Sequence, residues 1–78
     1  MNVIDTISGE SINPTQIART VDDASIDADN AHAVGELEDH ASFRLVDEVP
    51  ADGESNERFW GLFDDGTGPM WFPVERAQ

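Results

Sequence analysis

The sequence predicts an α+β domain in which two short helices precede a three-stranded antiparallel β-meander, with room for an additional N-terminal strand. Helix-start residues occur at 13–16 and again at 27–29, while from Phe43 the apolar period changes to two. Two turn-rich stretches, 50–57 and 64–69, then divide the remaining chain into three apolar runs. A length of 78 residues suits one domain, 1–78, and leaves no room for a second core.

Val3-Ile4-Asp5-Thr6-Ile7 reads as a short strand ending at Ser8-Gly9, or equally as a helical turn. The first helix is placed by Asn13 as N-cap, Pro14 at the first helical position and Gln16 as a capping-box-like partner. Ile17, Ala18 and Val21 then share its face, and it ends near Asp22-Asp23. A second helix starts after Asp27 or Asp29 and carries Asn30, Val34, Leu37 and Ala41 at helical spacing. Gly35 lies inside it at a cost of about 1 kcal/mol relative to Ala.

Phe43 to Val49, Arg58 to Phe63 and Met70 to Val74 read as the three strands. Pro73 cannot donate to a ladder, so the last strand is expected at an edge. With Phe63 opposite Met70 and Gly61 opposite Phe72, one face holds Phe59, Phe63, Met70, Phe72 and Val74, and Phe72 covers Gly61. Placing Phe43 opposite Phe63 adds Phe43 and Leu45 to that face, which the two helices cover.

The opposite face then carries Val46, Trp60, Leu62, Trp71 and Pro73, with Arg44 nearby. A small antiparallel sheet usually leaves one face polar, so this second apolar face needs a cover. Either residues 1–12 fold across it through Ile4 and Ile7, or Val46, Trp60, Leu62, Trp71, Pro73 and Arg44 bind a protein partner or a second copy as a homodimer.

Charge limits the function classes. Seventeen Asp and Glu stand against four Arg and no Lys, a formal net charge of −13. At low salt this charge repels itself; at molar salt the Debye length is about 3 Å and the repulsion largely vanishes. Asp excess without Lys resembles the composition of proteins from halophilic archaea, a likeness that covers the whole chain and implies a lifestyle rather than a family. A disordered acidic tail fits poorly with the aromatic C-terminal half, and a mimic of nucleic-acid charge is the other alternative. The chain has no cysteine, no apolar run of membrane-helix length and no basic, apolar start, so a cytoplasmic protein without membrane association is expected.

Residues 14–63 partly resemble a winged helix-turn-helix domain. Ile17, Ala18 and Val21 match its first motif helix and Ile26 its turn residue. Residues 29–41 match the recognition helix, Phe43-Arg44-Leu45-Val46 the junction to the wing, and 50–57 the wing tip. The resemblance implies a transcription regulator or accessory. Yet the matched recognition helix carries Asp29, Glu36, Glu38 and Asp39 without Arg or Lys, so phosphate contact is repulsive and nucleic-acid binding is not expected.

No catalytic or metal site is predicted, and no cofactor. His32, Glu36 and His40 fall at i, i+4 and i+8, where adjacent pairs could share a metal but all three cannot, since i to i+8 spans about 12 Å. A solvated polar face explains them more simply. Asp27, Asp29 and Glu38 fail as a calcium loop because Ala31 and His32 occupy the ligand and glycine positions. Asp64-Asp65-Gly66-Thr67-Gly68 is a turn without the Lys or following helix of a phosphate cradle. The reading is a non-enzymatic interaction or regulatory module.

Overall fold

The computed structural model describes residues 2–21, 34–50 and 56–77. Among the described residues the chain forms strands β1 (Val3–Asp5), β2 (Ser11–Ile12) and β3 (Gln16–Val21), then helix α1 (Val34–Glu38). Strands β4 (Arg44–Val46), β5 (Glu57–Asp64) and β6 (Pro69–Arg76) follow. All six strands belong to one antiparallel sheet in the order β2-β1-β6-β5-β3-β4. The expected α+β arrangement is therefore replaced by a mostly β architecture with one short helix.

The β5–β6 hairpin forms the centre and has the register its sequence predicts, with Phe63 opposite Met70 and Gly61 opposite Phe72. Its turn is held by two aspartates. Asp64 Oδ1 accepts from the Gly66 and Gly68 amides at 2.8 and 3.1 Å, and Asp65 Oδ1 accepts from the Thr67 amide and hydroxyl. Gly66 and Gly68 take φ of 110° and 118°, which a side chain would oppose.

The largest correction concerns residues 13–22. Of these, Gln16–Val21 form β3, not a helix, between β5 and β4, and residue 22 lies outside the described residues. Four β-branched residues, Thr15, Ile17, Thr20 and Val21, favour an extended chain and outweigh the cap-like Asn13-Pro14 start. Burial of the adjacent Ile17, Ala18 and Thr20 requires both sides of the segment to be covered, which a central strand provides. The winged-helix likeness lapses with this helix. Of the second predicted helix, residues 34–41 are described: Val34–Glu38 form α1, while 39–41, with the exposed Ala41, turn away from the helix; Asp27, Asp29, Asn30 and His32 lie outside the described residues, as does 51–55 of the predicted polar loop.

Pro73 sits in an interior strand, contrary to the expected edge. Its carbonyl accepts from the Thr6 amide at 2.9 Å, so its nitrogen also points toward β1, just beyond that strand's last paired residue. The missing donor thus leaves the β5 ladder intact.

The sheet is apolar on both sides. Val3, Ile12, Ile17, Val49, Phe72 and Val74 form one cluster, joined by Phe59, Phe63, Met70 and Val46. The chain after β4 turns beneath this side and buries Val49 in it. Gly61 lies here under Pro14, where an added Cβ would meet Pro14 Cβ at 3.1 Å and Val74 Cγ1 at 3.2 Å. Pro14 and Val74, rather than Phe72, stand closest over that glycine.

Ala18, Leu37, Trp60 and Trp71 form the second cluster, joined by Val34, Phe43 and Leu62. Its cover is α1, through Leu37. Of the first twelve residues, Val3–Asp5 and Ser11–Ile12 instead lie in the sheet as β1 and β2. The Trp60 indole donates to Thr20 Oγ1 at 3.0 Å, and the Trp71 indole donates to Glu38 Oε1 at 3.4 Å. Phe43 meets Trp71 edge-on, with ring centroids 5.4 Å apart, so it belongs to this side and not to the phenylalanine side.

Candidate functional site

The six residues predicted to bind a partner do not form one surface. Trp60 and Trp71 are 0% exposed beneath α1, with Leu62 half-buried in the same cluster. Pro73 lies opposite Trp60 in the hairpin and is also half-buried. Val46 and Arg44 fall on the other side, because β4 pairs with β3 in the register Ile17–Val46, Ala18–Leu45 and Arg19–Arg44. The apolar face drawn from the sequence is thus interior at its centre. Of the set Arg44 is exposed, and Val46 beside it is half-buried like Leu62 and Pro73.

β4 is a terminal strand of the sheet, and among the described residues no strand pairs with its outer side. Such an edge presents unsatisfied amides and carbonyls to any extended chain of matching shape. Natural edges are commonly blunted by charge or proline, whereas the middle residue here is Leu45, 58% exposed. Leu45 escapes the tryptophan cluster because Ala18 lies beside it, and among the described residues no strand follows on the outer side. A groove of about 460 Å³ runs along the same edge, lined by Pro14, Gln16, Ile17, Leu45, Val46 and Asp47.

Two of the four arginines stand at this edge. Arg19 and Arg44 lie directly opposite each other across β3 and β4, a like-charge placement that ordinarily destabilises a sheet. Arg19 is relieved by Glu57, with Nη1 to Oε1 at 2.9 Å. Arg44 is exposed and folds back to donate to the Phe43 carbonyl at 2.6 Å and the Ala41 carbonyl at 3.4 Å. Asp47 and Glu48, both exposed, follow β4 directly.

The edge's upper end is fastened by Ser42. Its hydroxyl accepts from the Val21 amide at 2.9 Å, donates to the Val21 carbonyl at 3.2 Å and lies 2.8 Å from His40 Nδ1. One side chain thereby replaces the backbone pair that β3 and β4 would otherwise make there. The Ser42–His40 contact is committed to this fastening, since the Ser42 amide also donates to Nδ1. It does not present a free hydroxyl to a substrate.

A second groove, of about 1210 Å³, is lined in part by Arg58, Glu75, Arg76 and Glu57. Glu57 in this groove is already held by Arg19, and Arg58, Glu75 and Arg76 are exposed to solvent. Among the described residues no three His, Cys, Asp or Glu side chains gather as metal ligands, and no helix is long and apolar enough to cross a membrane. Compared with protein-family models, with curated proteins and with solved structures, the chain matches none of them.

Leu45 is the site residue that sequence reasoning assigned to the core. Its side depends on which strand β4 joins, and β4 joins β3, itself read as a helix. No local signal in Arg44-Leu45-Val46 distinguishes the two outcomes.

Proposed function

We propose that the chain is a small, non-enzymatic protein-interaction module that takes an extended segment of a partner along β4. The observation that carries this reading is Leu45, exposed at the centre of an edge strand whose outer side no described strand pairs, beside a groove of mixed polar and apolar lining. Strand addition supplies affinity through main-chain hydrogen bonds and selectivity through alternate side chains, here Leu45 on one side and Val46 on the other. The net charge of −13 supports action in a cytoplasm at molar salt, where screening lets an acidic surface approach other proteins.

A display library of random short peptides, screened at molar salt, tests this. Selected peptides should shift the amide resonances of Arg44, Leu45 and Val46, and should no longer bind the Leu45→Asp variant. Failure to select any peptide, or binding that survives Leu45→Asp, overturns the reading.

A further inference from the structure

We propose that the segment β4 accepts is β4 of a second copy, the two strands running antiparallel about a two-fold axis at Leu45. This rests on the reading of β4 as a binding edge and names its occupant.

The argument is the order of side chains along the strand. An antiparallel pair centred on Leu45 sets Leu45 against the partner's Leu45 and Arg44 against the partner's Val46. β4 ends at Val46, and the exposed Asp47 and Glu48 follow it in a bend, next to the residue that faces the partner's Arg44. The segment 44–48 therefore has a cationic start and an acidic end, and two-fold symmetry brings each toward its opposite, twice. An apolar pair lies between them.

Charge also disfavours other contacts between copies. With only four cations in the chain, most encounters oppose carboxylate to carboxylate. At β4 two arginines, Arg19 and Arg44, stand together. Arg44 makes only hydrogen bonds to its own segment's carbonyls, which it can exchange for a carboxylate. The contact is short, three residues a side, so the pairing is weak and concentration-dependent.

Because the chain has no cysteine, Leu45→Cys is a clean probe. Incubated with oxidised glutathione at molar salt, it should form a disulfide-linked dimer. Ile7→Cys, at the other large exposed apolar side chain among the described residues (52%), should stay monomeric. In light scattering, Arg44→Glu and Glu48→Arg should each weaken the wild-type dimer, and the double exchange should restore it. A wild-type chain that is monomeric at every concentration, equal cross-linking at positions 7 and 45, or no restoration by the double exchange overturns the proposal. A monomer that still takes library peptides at Leu45 sinks self-pairing and leaves the binding edge standing. Copies that pair at Leu45 while peptides are refused sink the general reading instead.

Discussion

The indole N–H of Trp60 donates to the hydroxyl of Thr20 at 3.0 Å, inside a region where both residues are essentially sealed from water. The bond crosses between β5 and β3, and it gives the largest buried side chain a partner for its one polar atom. Thr20→Val keeps the shape and removes the acceptor. It should lower stability by about 1–3 kcal/mol, read from denaturant midpoints at molar salt. Trp60→Phe in the Thr20→Val background should lose less than the two single changes summed, since the orphaned donor is gone.

A Cβ added at Gly61 would stand 3.1 Å from Pro14 Cβ and 3.2 Å from Val74 Cγ1, so its neighbours must shift by a few tenths of an ångström. Gly61→Ala should destabilise by about 1–3 kcal/mol through overpacking. Val74→Ala should cost less in the Gly61→Ala background than alone, because it removes the Cγ1 that would stand 3.2 Å from the added methyl. Thermal melts of the single and double variants check this.

Leu37 holds the tryptophan side closed. Leu37→Ala should cost about 2–5 kcal/mol and should shift the fluorescence of Trp60 and Trp71 to the red as water reaches them. If the emission of the folded variant stays unchanged, α1 is not the cover.

Ser42→Ala removes a hydroxyl that serves both backbone groups of Val21. Hydrogen exchange at the Val21 amide should accelerate, while the amides of the β5–β6 hairpin keep their protection. Uniform acceleration across the sheet would indicate global destabilisation instead of a local clasp.

The acidic surface yields a salt prediction. Between about 0.1 M and 1 M salt the Debye length falls from about 10 Å to about 3 Å. The melting temperature should rise over that range, since the folded chain concentrates a charge of −13. A melting temperature independent of salt would remove the case for adaptation to brine.

What could be read from the sequence was what local chemistry decides. Asp64, Gly66 and Gly68 specify the turn, and the alternation of Phe59, Trp60, Phe63, Met70, Trp71 and Phe72 specifies the hairpin's register and its two apolar sides. Long-range pairing was not legible. Asn13-Pro14 favours a helix start, yet burial on both sides makes Ile17-Ala18 a strand. With β3 absent from the expected sheet, β4 was assigned to the wrong neighbour, and Phe43, Leu45 and Val46 each changed sides. Of the predicted binding residues, Arg44 and Val46 remain in the candidate site because they flank Leu45. Trp60 and Trp71 were chosen for being aromatic and apolar, properties that a core and an interface share.

The strand order has a consequence for biosynthesis. The two innermost strands are encoded by residues 57–76, and every earlier strand except β2 and β4 rests directly on one of them. During translation, β1 and β3 have only β2 and β4 to pair with, and their places beside β6 and β5 stay empty until nearly all of these 78 residues have left the ribosome. Folding then requires closure of long loops, such as the one joining Val3 to Arg76, which places the chain among slow, high-contact-order folders.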